Sequence, residues 1–560
     1  MDKREILAKL QAVESQYSEE WHMITEKAAS PGYHTRIPDG VPAHRTVTAI
    51  NYAWAIFASG EEKYFARGEE VIRAVLKLQV SDPYDKAFGV WPWFAEEPVE
   101  KMAPPDWNWA GFIGAPICHI LLDYSSCISE ELKTEMTIAL ERAAWCIFRR
   151  NMHPNYTNIA LMGAAVTAAA GDILNNDLLR DYARSRIRHF LEHTGKQGSF
   201  NEYNSPTYTF VALAEIERIL QLARDPETLA CAEKVRVWAW KMLAGHFHPA
   251  TGQLAGPHFR AYSELLGEAN RKLLEEQTGI PVFTPGNMPL PAADAFSFSD
   301  VRYHACPEEF KKYFIPSQEE RVCTQTFQQT DDPAFNVSGT TWIKGEASIG
   351  SATRVFFWDQ CRPLQSYWRN GNDVAVLRGN VVKNGRSFAS MGAYNSQEKN
   401  RVLTTFHALT DTGDFHCGLD PAPGRLFPIS SLVVQYRLTG KGAYAQQIAD
   451  GIFELICGSY KAVVHFPETE CMEFDGRSVF CRCRTEEDAA YAELVCLDGD
   501  EIKVLYQPSL TMKLAGAVEI LPAGVQADCD RPEISGNTAI WRQIRTEIAP
   551  AACRFWKVEE

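Results

Sequence analysis

No stretch of the chain reaches the roughly 18–20 continuous apolar residues that a membrane span needs. The nearest approach, from Ile159 to Ala170, is built of mostly small side chains and reads as a buried helix. Met1-Asp2-Lys3-Arg4-Glu5 runs straight into an amphipathic pattern with no apolar leader core, so no signal peptide is visible. Basic residues are in deficit, 56 against 71 acidic ones, for a net charge of −15. Such a surface repels phosphate backbones, which makes nucleic acid and anionic membranes poor partners. It does not forbid an acidic substrate, because a local basic or amide-lined pocket can override the global field. Fifteen cysteines are scattered singly, apart from Cys481 and Cys483, with no CxxC pair. Scattered cysteines without a leader point to free thiols in a reducing compartment, and a cytoplasmic location is expected. Also missing are a GxxxxGK[ST] loop, a GxGxxG turn after a strand, HExxH and GxSxG. No cofactor and no metal site are expected.

What is present is an ordinary globular composition: 560 residues, 46% hydrophobic and 23% charged. The length prior, about 150 residues per domain, suggests three to four domains, and two large ones fit as well. The two halves differ in period. Up to about Gln277 the apolar spacing is helical, as in Ile6, Leu7, Leu10 and Val13, or Val71, Ile72, Val75 and Leu76. Roughly ten to twelve such segments joined by short loops suggest helical hairpins in a ring, an (α/α) toroid. Pro281, Pro285, Pro289 and Pro291 then break the pattern. Beyond Pro316, short β-branched and aromatic runs such as Val322–Phe327, Val374–Leu377 and Leu432–Leu438 predict a large antiparallel β-sandwich. The expected fold is α+β: a catalytic toroid over 1–280, a linker over 281–315 and a sandwich over 316–560.

Four clusters could carry chemistry. Trp91, Trp93, Trp107 and Trp109, with Asp106, fall in loops between helices, where rings either hold sugar faces or plug the end of the helix ring. Asn155 and Asn158, near His153 and Tyr156, open a helix, where amides either cap it or bind a carboxylate at its positive end. Glu202, Tyr203, Asn204 and Tyr208 crowd a turn in which Ser205 and Pro206 suit a helix start. His258, Arg260 and Tyr262, spaced by two, would share one face of an extended segment. Imidazole, guanidinium and phenol on one face suit an anionic substrate and proton transfer. Within the strands, Trp342, Tyr367, Trp368 and Arg369 read mainly as sandwich packing.

Helical hairpins followed by an antiparallel sandwich, with these loops, resemble the toroid polysaccharide lyases: heparinase II/III-like, alginate-lyase-like and chondroitin/hyaluronate-lyase-like enzymes. Gln197-Gly-Ser-Phe-Asn-Glu-Tyr-Asn-Ser-Pro-Thr-Tyr208 is similar to their Asp-Gly-Ser/Tyr turn. Asn155-Tyr-Thr-Asn158 is similar to their asparagine motif that neutralises a uronate carboxylate. The sequence departs in carrying Tyr203 where some of them place a catalytic histidine, and Gln197 in place of the aspartate.

The resemblance implies a lyase cleaving uronate-containing poly- or oligosaccharides by β-elimination. That reaction needs neutralisation of the C6 carboxylate, a base for the C5 proton and an acid for the departing O4. Neutralisation falls to Asn155, Asn158 and Arg260. Proton transfer falls to Tyr208, His258 and Tyr262, with Glu202 orienting one of them. Tyr203, Asn204, Trp91, Trp93, Asp106, Trp107 and Trp109 are expected to bind substrate. Two alternatives stay open: a glycoside hydrolase using Glu202 and Asp106, and a non-catalytic glycan-binding protein.

Overall fold

The computed structural model describes residues 2–30, 33–288, 296–408, 413–416, 420, 426–474, 478–505 and 512–548. Its first half is helical: α1 (Lys3–Ala12), α2 (Thr46–Ser59), α3 (Phe65–Leu76), α4 (Trp109–Asp123), α5 (Glu130–Arg150), α6 (Thr157–Ile173), α7 (Asp177–Gln197), α8 (Tyr208–Leu222) and α9 (Pro226–His246). A further helix, α10, spans Glu268–Thr278. None of the described helices is long and apolar enough to cross a membrane.

Local chemistry sets the helix ends. Ser129 caps α5 by accepting the Leu132 N–H, acidic Glu130 and Glu131 sit at its positive end, and Arg149 and Arg150 at its negative end. Asn151, at φ +42°, closes it in the left-handed region. α6 has buried residues on every side, Asn158 to Gly171 included, which is the pattern of a helix enclosed by others. Gly111 and Gly114 of α4 let it approach Met162 and Val166 of α6 closely. Packed in this way, the helical hairpins form an (α/α) toroid, and an antiparallel β-sandwich follows, as the periodicity predicts.

Among the described residues one sandwich layer is nine-stranded. Its path runs Phe480–Glu486, Ala489–Leu505, Leu426–Thr439, Asp373–Lys383, Leu364–Asn370, Ala347–Ala352, Val337–Lys344 and Arg321–Gln328, with Arg386–Ser387 off the Asp373–Lys383 strand. The other layer, eight-stranded, includes Met391–Glu398, Arg401–Ala408, Met512–Pro522 and Tyr460–His465 in that order. Leu377, Val434 and Leu494 from the first layer and Val402, Phe406 and Val464 from the second bury their alternate side chains in one core. Trp342 and Trp368 belong to that core.

By packing, the chain divides into two compact units. The first is Met1–Thr194, Val211–Ala239 and Leu290–His304; the second is Gly195–Phe210, Trp240–Pro289 and Ala305–Glu560. Residues 195–210 and 240–289, read from sequence as part of the toroid or linker, pack with the strands. Phe296 and Phe298, read as linker, join the helical core, edge-on to Tyr52 and Trp54. The prolines from Pro281 onward stop the helical period without regard to which unit the chain packs in, so the texture change there does not mark the end of a packing unit.

Gly198 and Asn201 stitch the 195–210 segment to the edge strand Arg321–Gln328. The Gln197 side-chain oxygen accepts the Gln329 N–H at 2.6 Å, and the Asn201 amide donates to the Phe327 carbonyl at 2.7 Å. Gly198 sits at φ +92° with a would-be Cβ 2.8 Å from the Thr326 carbonyl oxygen. An edge that would otherwise offer unpaired backbone groups is thereby covered.

Gly350 packs against the backbone just before His258: a Cβ there would lie 1.7 Å from the Gly256 carbonyl oxygen. Gly350→Ala is expected to cost about 1–3 kcal/mol, the range for overpacking a filled interior. Urea unfolding of the variant and wild type measures it; equal midpoints would show that the backbone yields freely.

Candidate functional site

The sandwich-side unit gathers one polar cluster from two loops, 202–208 and 258–262. Asn204, at φ +45°, uses its amide to donate to the carbonyls of Ala255 (2.6 Å) and Pro257 (2.9 Å), locking the first loop to the second. Ser205 accepts the Tyr208 N–H at 2.7 Å, which starts α8 as the Ser-Pro pair predicts, and its hydroxyl donates to the Arg260 carbonyl at 2.7 Å. Helix capping and loop joining therefore use one hydroxyl.

Arg260 is the hub. It sits at φ +69°, where a side chain costs energy unless its surroundings hold it. Its Nε donates to the Gln360 side-chain oxygen at 2.8 Å and its Nη2 to the Tyr208 oxygen at 3.1 Å. Nη1 lies 3.4 Å from a carboxylate oxygen of Glu202, which is only 5% exposed. The guanidinium also stacks over the rings of Tyr208 (4.6 Å) and Trp358 (5.4 Å). Tyr208 and Tyr262 share a hydrogen bond of 2.7 Å between their oxygens, and Tyr262 is 54% exposed. Burial pushes the Tyr208 phenol well above its ordinary value, while the Arg260 charge pulls the other way. The result is a protonated phenol, beside a cation, linked by one proton to a second phenol that meets solvent.

His258 does not join that face. The extended segment spans only His258–Phe259, paired to Cys361–Arg362, and the left-handed turn at Arg260 sends the two side chains apart. His258 is 1% exposed, with Nδ1 at 2.7 Å from the Asn204 carbonyl oxygen and Nε2 at 3.3 Å from the Tyr367 oxygen. The carbonyl fixes the proton on Nδ1, and desolvation pushes the ring down to about 4, so it is neutral at pH 7. Tyr203 is likewise buried, stacked on Phe327 at 4.5 Å with its oxygen 3.0 Å from His246 Nε2. Both residues hold the loop; neither meets solvent. Gln360 and Trp358, which both meet the Arg260 guanidinium, had no signal in the sequence, because they lie some hundred residues away between strands. Arg369, set among the strand residues, donates to the Ala250 carbonyl and stacks on Phe283.

The helical unit holds the remaining candidates. Trp91, Trp93 and Trp109 are buried, not displayed: their indole N–H groups donate to the Val75 carbonyl, Asp106 and Thr46, and Trp93 stacks on Trp109 at 5.0 Å. An indole in a loop finds its partner in the neighbouring backbone and so fills the helical core. Trp107 alone of the four is half-buried, donating to the Lys86 carbonyl. Asp106 accepts the Trp93 N–H at 3.1 Å and the Asn108 N–H at 3.0 Å. Asn158 is buried in the first turn of α6, and the Asn155 N–H donates to His153 Nδ1. Beside them Asn108 binds Arg150 (2.6 Å) and Tyr156 (3.2 Å), a polar group that sequence reasoning missed. No cluster of three or more His, Cys, Asp or Glu side chains suited to a metal ion occurs among the described residues, and all thirteen described cysteines are free.

A family model described as a domain of unknown function (DUF8769) matches residues 27–268, less than half of the chain. That span contains every candidate residue from Trp91 to Tyr262 and stops before the sandwich strands. No curated protein matches. Among solved structures the chain is similar to a heparinase III, at 11% identity and a TM-score of 0.40, over 88% of this chain and 79% of that one. It is similar to the Streptomyces coelicolor A3 chondroitin AC lyase in complex with chondroitin sulphate, at 11% identity and a TM-score of 0.47, over 93% and 79%. It is also similar to endoglucanase CelQ from Clostridium thermocellum complexed with cellotriose, at 9% identity and a TM-score of 0.20, over 93% and 94%. Likeness at this level assigns no activity to the chain.

The buried histidines predict an acid-side loss of stability. Desolvation pushes His246 down to about 3, and His248 and His258 to about 4, from 6.5. Between pH 6.5 and 4 the unfolded chain binds more protons than the folded one, so this stability is complete above 6.5 and lost as pH falls. Each histidine contributes a slope of up to about 1.4 kcal/mol per pH unit. Urea unfolding across that window should steepen accordingly, and His258→Asn should remove one histidine's share; a flat profile contradicts the burial.

Proposed function

We propose that the chain is a carbohydrate-active lyase that cleaves uronate-containing oligo- or polysaccharides by β-elimination. The observation that carries this reading is the pair of phenols, Tyr208 and Tyr262, bonded oxygen to oxygen at 2.7 Å beside the Arg260 guanidinium. Elimination needs one site to take the C5 proton and give a proton to O4. A phenol pair with one proton removed does both. The phenolate oxygen takes the C5 proton, the C4–C5 double bond forms as the C4–O4 bond breaks, and a phenol proton passes to O4. The pair ends with the charge it began with. Arg260 stabilises the phenolate, whose formation burial opposes. Glu202 balances the Arg260 charge and fixes its plane.

Hydrolysis fits less well. It needs two carboxyl groups flanking the bond, one of them protonated. Glu202 is ion-paired with Arg260, and the two oxygens of Asp106 accept the Trp93 and Asn108 N–H groups, so both carboxylates already serve as acceptors within the fold. A purely binding role leaves the shared phenol proton without a purpose.

Tyr208→Phe is expected to lower the rate of unsaturated product formation by about 10²-fold or more, the scale of a lost acid–base group. The rate of the wild type should rise with pH through neutrality, since more of the pair is then deprotonated. Ultraviolet absorbance of the conjugated uronate reads both effects. Undiminished absorbance in Tyr208→Phe, or products heavier by one water, rejects the reading.

A further inference from the structure

The outer face of the nine-stranded layer carries a basic row. In register across four strands, Arg378 stands opposite Arg437, Arg437 opposite Tyr491, and Tyr491 opposite Arg484. Their neighbours one position along, Leu377 and Leu438, point into the sandwich core, so the row faces away from it. The row floors an open cleft of about 490 Å³, which Arg386, Phe415 and Asp359 also line. That volume lies in the range of small-molecule sites.

The residues lining the cleft include four arginines and one carboxylate, and the other carboxylates near them, Glu264, Glu486 and Glu493, are engaged with Arg378, Arg437 and Arg484 rather than with Arg386. Arg378 and Arg437, directly opposite each other, share a single carboxylate, Glu264, at 3.8 and 3.3 Å. Like charges facing across strands repel, so the pair is costly without an anion between them. The Arg378 side chain is only 11% exposed, and its Nε has no hydrogen-bond partner among the described residues. Desolvation lowers its pKa to about 10. Arg386, exposed at the rim, makes no ion pair among the described residues and lies flat on Phe415 at 4.0 Å. Arg484 lies on Tyr491 at 3.6 Å and pairs with Glu493 at 3.1 Å and with Glu486. Asp359 is the one carboxylate among the lining residues. Rings that hold guanidinium planes in place leave little entropy to lose when an oxyanion arrives, and planar forks match carboxylate and sulfate oxygens in pairs. In the next row Asn380 and Gln435 stand opposite each other, their amides already bonded to Ser387 and Glu493, with room for one further N–H each toward a hydroxyl.

We propose that this cleft is a binding subsite for an acidic sugar, taking its carboxylate or sulfate on Arg378 and Arg386. The sugar class rests on the lyase reading; the anion preference rests on the cleft alone.

Calorimetric titration of the full chain tests it with three probes of equal length: a uronate oligosaccharide without sulfate, a sulfated oligosaccharide of neutral sugars, and an uncharged one. One or both acidic probes should bind at least tenfold tighter than the uncharged probe, with affinity falling as salt rises. The stronger of the two identifies the anion. Arg386→Ala should weaken that binding about tenfold, Arg386→Glu should abolish it, and Arg386→Lys should restore part of it. Arg386 is exposed and makes no ion pair among the described residues, so these variants are expected to keep the fold, as thermal unfolding checks. Equal binding of charged and uncharged probes, or wild-type affinity in Arg386→Glu, overturns the proposal, as does a failure of both acidic probes and of inorganic sulfate to bind. If acidic probes bind with this dependence but yield no unsaturated product, the lyase reading falls and the cleft stands. If product forms with the same KM in wild type and Arg386→Glu, the cleft falls and the lyase reading stands.

Discussion

The compensated charge of Arg260 organises the site. A partly buried guanidinium is tolerable only when acceptors meet its donors, and here Glu202 and Tyr208 of one loop and Gln360 of another segment do so. Those contacts also hold the residue at φ +69°, a conformation that costs about 1–3 kcal/mol in isolation. The same contacts aim the Tyr208 oxygen at Tyr262. Strain, charge balance and phenol alignment are thus one arrangement seen from three sides.

The change from helical to alternating period, and with it the order of toroid and sandwich, was legible in the sequence because hydrophobic spacing reports which faces are buried. The density of polar residues around Glu202–Tyr208 and His258–Tyr262 was legible too, since a solvated turn has no use for so many. What was not legible is orientation. Spacing by two implies a shared face only while the backbone stays extended, and Arg260 leaves that region one residue after the strand ends. The four tryptophans, placed by the sequence in loops, read equally as sugar-holding rings or as plugs of the helix ring; three of them are buried, their N–H groups meeting carbonyl, hydroxyl and carboxylate partners within the unit. Gln360 and the basic row depend on strand register, which no local pattern announces.

Charge is distributed against the global balance. The chain is acidic by 15 units, yet Arg378, Arg386, Arg437 and Arg484 stand together on one sheet face. A field of that kind repels polyanions at long range and favours them only on close, directional contact, within about a Debye length of 8–10 Å. If the cleft takes an acidic sugar as proposed, that contrast of ranges would favour short acidic chains over long polyanions.

The side-chain bonds from Gln197 and Asn201 to the edge strand have a bearing on inheritance. The segment that bears Glu202 and Tyr208 precedes the strands by more than a hundred residues, yet its backbone is fastened to one of them. On the strand side the partners are backbone groups, the Phe327 carbonyl and the Gln329 N–H, so side-chain substitution at either position leaves both bonds in place. Inherited variation is therefore freer on the strand than on the loop, where the Gln197 and Asn201 side chains supply the matching groups.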